Sequence, residues 1–169
     1  LNALGSTALQ ELSTAQVSQL STSQVSSLTS AALSNMSSTQ VQALGSAAVQ
    51  SIASGVLNAL GTATMQELST TQVSQLSTDQ ISAISTGALN NMSSNQIQAL
   101  TMVEIQSITP TTIGALSTAT VKELTTNQLQ QLTTDEVSAL TTSQLHAIST
   151  SQWNALVAGN SSILPTSQP

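Results

Sequence analysis

Leu12-Ser13-Thr14-Ala15-Gln16-Val17-Ser18-Gln19 is followed at once by Leu20-Ser21-Thr22-Ser23-Gln24-Val25-Ser26-Ser27. It is one eight-residue unit written twice, and the unit runs on almost without a gap to Leu156. Numbered from its leading residue, the octad is apolar at position one (Leu4, Leu12, Leu20, Leu28, Met36 and onward) and again at position six (Leu9, Val17, Val25, Leu33, Val41 and onward). Position three is nearly always Ser or Thr, and position five is most often Gln.

The two apolar positions differ in parity, so in a strand they would point to opposite faces. In one unbroken helix, eight residues carry the stripe forward by roughly 80° per repeat, and no single face forms. The helix must therefore stop and restart in every octad. The restart is written in the unit. With Ser13 as N-cap, Gln16 stands at the third helical position and completes a capping box, while Leu12 and Val17 form a hydrophobic staple. Pro110 falls at position three, the first helical residue, where proline is best tolerated. Asp79 and Asp135 fall in first turns, where a negative charge meets the positive helix end. Gly5, Gly45 and Gly61 take position two, where permissive dihedrals would ease the passage from one helix to the next.

So short a helix does not stand alone, because isolated helices below about 12 residues are marginal. The octads must stack, and the expected fold is an all-α solenoid of short single helices, one per octad. A longer period lies on top. Residues 4–59 and 60–115 align without a gap over seven octads, and 116–156 begin a third copy, giving a 56-residue super-repeat. A superhelical turn of seven octads would stack Glu11, Glu67 and Glu123 into one column. The Ser, Thr and Val content also suits a β-solenoid. The parity of the apolar pair, Pro110 and the repeated capping box argue against it. We expect the solenoid over 1–156 and a terminal cap and tail over 157–169, with Ile163 and Leu164 as a final apolar cover. The chain opens inside an octad, on Leu1, as a processed or cut product would, and no basic-then-apolar leader precedes the array.

Units such as Leu68-Ser69-Thr70-Thr71-Gln72-Val73 resemble the Ser/Thr/Gln-rich "LTTxQ" octapeptide arrays of large bacterial surface or secreted proteins. The resemblance covers nearly the whole chain. It implies a long, exported, non-catalytic array, and it brings no catalytic residues with it.

Composition narrows the function. Only 5% of the 169 residues are charged and 1% aromatic, and the net charge is −6 with one cation, Lys122. Nucleic-acid binding needs phosphate-neutralising cations, and an anionic membrane surface needs them equally. No apolar run is long enough to span a bilayer, so membrane insertion is not expected. Without cysteine there are no disulfides, thiolates or Cys-based metal sites. The one His, His146, and the neighbouring Asp135 and Glu136 are the nearest approach to an acid–base group. Helix capping explains both carboxylates, and a solvated His on a polar face explains the third. We expect no catalytic, cofactor or metal site, and no enzyme.

The expected function is structural: a rod, spacer or filament-forming array of an extracellular or cell-surface protein that associates with itself. Val56, Met102 and Val103 are apolar outside the usual pair, and they are the candidate self-assembly contacts. Trp153 fills a position-six core slot in the last full octad, as a plug for the end of the core. The alternative is an adhesin-type module that recognises glycan, a host surface or ice through regular Ser/Thr rows. Gln at position five has a further role open to it, in ladders between stacked helices.

Overall fold

A computed structural model describes residues 9–59 and 62–168, and among these there are helices and turns but no strand. Eighteen short helices follow one another within the described residues. They divide between two compact units, Leu1–Ile84 and Ser85–Pro169. The first holds α1 (Thr14–Ser18), α2 (Thr22–Ser26), α3 (Ser30–Ser34), α4 (Ser38–Ala43), α5 (Ser46–Gln50), α6 (Ser54–Ala59), α7 (Thr62–Glu67), α8 (Thr70–Val73) and α9 (Thr78–Ala83). The second holds α10 (Thr86–Asn90), α11 (Ser94–Ala99), α12 (Met102–Ile105), α13 (Pro110–Ala115), α14 (Thr118–Glu123), α15 (Thr126–Gln130), α16 (Thr134–Ala139), α17 (Thr142–Ala147) and α18 (Thr150–Gly159). Each octad supplies one helix, as its capping box predicts, and the fold is a solenoid of short helices.

The octad's local chemistry appears atom by atom at Ser13. Its hydroxyl accepts from the Gln16 backbone N–H at 3.2 Å, and Gln16 Oε1 accepts from the Ser13 backbone N–H at 2.9 Å. The same reciprocal pair recurs at Ser69–Gln72, Ser93–Gln96, Thr125–Gln128 and Thr141–Gln144. Pro110 occupies the start of α13, behind Thr109 as N-cap. Each helix then stops without left-handed backbone, for among the described residues no φ is positive. Instead, the position-one residue turns extended, as Leu100 does at φ −60°, ψ 127°. Its N–H donates back to the position-six carbonyl, as Leu20 does to Val17 at 3.1 Å. This corrects the reading of the glycines. Gly45 caps α5 at φ −67°, ψ 161°, which any residue adopts, so permissive dihedrals are not its reason. Gly5 and Gly61 lie outside the described residues.

Position six forms the innermost layer of each unit. Val25, Leu57 and Val73 are fully buried in the first, and Ile105 and Leu129 in the second. Position one lies beside it, with Leu28 and Leu44 buried in the first unit and Leu100 and Leu132 in the second. Within each unit a helix packs on the third helix along the chain: α1 on α4, α6 on α9, α13 on α16, α15 on α18. Two glycines record how close this approach is. A Cβ on Gly114 would stand 2.6 Å from the Ala139 carbonyl oxygen, and one on Gly159 would collide with that of Gln130. Both are set by a neighbouring backbone and not by their own dihedrals.

The winding of each unit is tighter than a seven-octad turn. Helix-to-helix hydrogen bonds link residues 25 apart at one edge and 28–31 apart at the other. A turn therefore closes between three and four octads, about 28 residues, and the 56-residue super-repeat spans two turns.

Candidate functional site

The feature that the sequence left open is what the position-five glutamines do. With helices of four to six residues, the ten-residue α18 apart, almost every backbone group is a terminal one, and the last carbonyls lack intrahelical partners. The glutamine side chains meet that need across the turn. Gln72 Nε2 donates to the carbonyls of Val41 and Leu44, at 2.8 and 2.9 Å. Gln80 reaches Val49 and Ile52, at 3.0 and 2.7 Å. In the second unit Gln128 reaches Ile97 and Leu100, both at 2.9 Å, and Gln144 reaches Ile113 and Leu116, at 2.9 and 2.8 Å. Each amide thus works at both ends. Its oxygen caps its own helix, and its nitrogen caps the C-terminus of a helix 28–31 residues earlier. Gln72, Gln80, Gln128 and Gln144 are all buried, so these are rungs inside the stack. Buried polar groups are costly unless satisfied, and these four glutamine rungs all close.

A second set of rungs runs along another edge. The position-seven amides of Gln42, Gln50 and Gln106 donate to the carbonyls of Glu67, Gln75 and Gln131, at 3.1, 2.8 and 2.8 Å. Where position five is not Gln, the structure compensates. Thr120 cannot reach back to the Ser117 N–H, and Asn90 Oδ1 accepts from it instead at 2.9 Å, while also accepting from the Thr120 hydroxyl at 2.8 Å.

Two of these positions carry acids. Glu104 and Glu136 are 3% and 1% exposed. Glu136 Oε2 accepts from the Thr133 backbone N–H and hydroxyl, at 2.6 and 2.9 Å, as a glutamine oxygen would. Its Oε1 is buried and has no partner. Burial pushes this carboxyl above the ordinary carboxylate range, and the neighbouring Asp135 charge adds to that; the Thr133 bonds pull the other way.

The remaining candidates are spread out. Asp135 is exposed in the first turn of α16, and His146 is exposed in the last turn of α17. Glu136 is buried, so the three groups do not share one environment. Val56 and Met102 are half-buried, while Val103 is 63% exposed. Trp153 is 2% exposed, and its Nε1–H donates to the Thr166 carbonyl at 3.4 Å. Over it the tail contributes a rung of its own. Gln168 Nε2 donates to the carbonyls of Leu145 and Ile148. Ile163, expected as apolar cover, is 40% exposed; Gln168 and the backbone of Thr166 make the contacts instead. Among the described residues no group of three or more His, Cys, Asp or Glu could hold a metal ion. Among the described residues no helix is long and apolar enough to cross a membrane.

The hydroxyl rows divide by position. Those at position two are consumed as caps. Those at position three, such as Thr70 and Thr78 in one unit and Thr126, Thr134 and Thr142 in the other, are exposed.

Comparison with known families fits this picture. Residues 49–86 and 105–142 match the ALTTAQ repeat family. The second match begins 56 residues after the first, so the two lie one super-repeat apart. These blocks are LTTxQ-type octapeptide repeats. No curated protein and no solved structure matched the chain.

Proposed function

We propose that the array is a structural element, a rod or spacer of an extracellular or cell-surface protein that associates with itself and catalyses nothing. The observation that carries the reading is the ladder. Every rung addresses backbone carbonyls, so one octad can stack on another whatever its exposed residues are. Such a scheme specifies length and stiffness and leaves the surface unspecified. That surface is weakly charged, with Ser, Thr and Asn at its exposed third and fourth positions, which permits close lateral approach without strong repulsion. Val103 is the candidate contact that stands exposed, and Met102 flanks it. Electron microscopy of the purified chain over a range of concentrations tests this. Filaments or sheets of constant width, lost on Val103→Ser, support lateral assembly. Dispersed short rods at every concentration would remove the assembly claim and leave a spacer.

The exposed position-three hydroxyls favour a second reading, a module that recognises glycan or ice, because capping does not account for them. Glycan-array and ice-recrystallisation assays separate this from the first. Binding abolished by replacing the Thr126, Thr134 and Thr142 hydroxyls together would establish it.

A further inference from the structure

Glu136 breaks the chemistry of the ladder while keeping its geometry. The rungs on either side of it are Gln128, which addresses Ile97 and Leu100, and Gln144, which addresses Ile113 and Leu116. The same register places the Glu136 side chain toward the carbonyls of Ile105 and Ile108. Its Oε2 does what a glutamine oxygen does, at Thr133. Its Oε1 is buried and unpartnered in the place of a glutamine nitrogen. As a carboxylate oxygen it can only accept, and it would confront two acceptors.

We propose that Glu136 is carried in the folded array as a neutral carboxylic acid whose Oε1–H donates to the Ile105 and Ile108 carbonyls, so that one proton makes and breaks this rung. A metal ion is the other way to reconcile a carboxylate with two carbonyls. The flanking rungs hold side-chain atom and carbonyl 2.8–2.9 Å apart. An oxygen-bound calcium ion alone needs about 2.3–2.6 Å on each side. The flanking spacing is that of a hydrogen bond, and calcium takes about 6–8 oxygens, more than one carboxylate and two carbonyls supply.

The surroundings favour the neutral form. Asp135 lies on the same helix, Glu104 on α12 and His146 on α17, while α13, which packs against α16, carries no titratable side chain. The raised carboxyl of Glu136 follows from burial first and from Asp135 second. The linkage sign is then fixed. A group whose folded value lies above its unfolded one gives stability that is fully present below the unfolded value. It is lost as pH rises through the folded value. Glu136 therefore weakens the array on going from acid, near the unperturbed value of about 4.3, toward neutral and alkaline pH. Each unit of separation between the two values changes the folding constant tenfold.

The test is urea unfolding of the full chain and of Glu136→Gln, at about pH 4 and at about pH 8, with the difference between the two proteins removing all other groups. The expected result is near-equal stability in acid. At the higher pH the variant should have the larger folding constant, by a margin that grows as pH rises. Equal pH dependence in both proteins, or a variant weaker than the parent at the higher pH, would overturn the proposal. A carbon NMR titration of the unaltered chain gives an independent check. Glu136 should titrate above the ordinary carboxylate range, and a midpoint within that range would also overturn it.

Discussion

At the scale of the residue, the octad assigns each side chain two tasks, and the glycines show where one of them is fixed from outside. Gly159 and Gly114 lie in α18 and α13 because a neighbouring carbonyl occupies the space of a Cβ. Gly159→Ala should therefore destabilise the chain by about 1–3 kcal/mol, the usual cost of overpacking. Gly114→Ala should act in the same direction, less severely, and thermal melting followed by circular dichroism would show both. Gly45 is the opposite case. It has open space around its Cα and no side-chain cap on α5. Gly45→Ser supplies the missing acceptor for the Ala48 N–H. Its expected effect is a gain of at most about 1 kcal/mol, read as a rise in melting midpoint. Only the capping slot of Gly45 was legible beforehand. What fixes Gly114 and Gly159 is a backbone about three octads away, which no neighbouring letter reveals.

At the scale of the element, the helix start was legible and the helix stop was not. Ser or Thr followed three residues later by Gln states the capping box in adjacent letters, and Pro110 marks the first helical residue directly. The stop is made by an amide arriving from 28–31 residues further on, and its targets are carbonyl groups, which every residue carries. No residue type betrays such a partner. The same gap concealed the turn. A 56-residue period is equally consistent with one turn or two, and only the hydrogen-bonded register separates them. Burial grades the glutamines accordingly. Gln16 and Gln24 are exposed, whereas Gln128 is 1% exposed and bonds across the turn. Gln128→Ala should cost about 2–4 kcal/mol, since it strips a cap, removes the cross-turn donor from the Leu100 carbonyl and leaves the Ile97 carbonyl with the Leu100 N–H alone. Gln16→Ala should cost about 0.5–1 kcal/mol, a cap alone. Urea midpoints of the two variants test the ranking, and equal losses would mean that the cross-turn bonds contribute nothing.

At the scale of the whole molecule, the repeats are interchangeable only in certain lengths. Atypical octads are matched to particular partners: Asn90 to Ser117 and Thr120, Gly114 to Ala139. Removing 28–83, seven octads, leaves both pairs in register. The shortened chain should keep its helicity per residue and unfold cooperatively. Removing the single octad 108–115 moves Asn90 one octad out of step with Thr120 and strands the Ser117 N–H. That deletion should cost about 1–3 kcal/mol, visible as a lower urea midpoint despite the smaller loss of chain.

The spacing of the turn has a mechanical consequence. Because it closes between three and four octads, an octad never sits squarely on another. Within each unit it straddles the joint between two, its position-five amide tied to the position-six carbonyl of one and to the position-one carbonyl of the next. Bricklayers lay courses in running bond for the same reason. A wall so built has no straight seam from course to course, and a crack must go through bricks instead of around them. A pulling force on such a stack finds no joint to follow, and its load is shared among helices that are far apart in the chain.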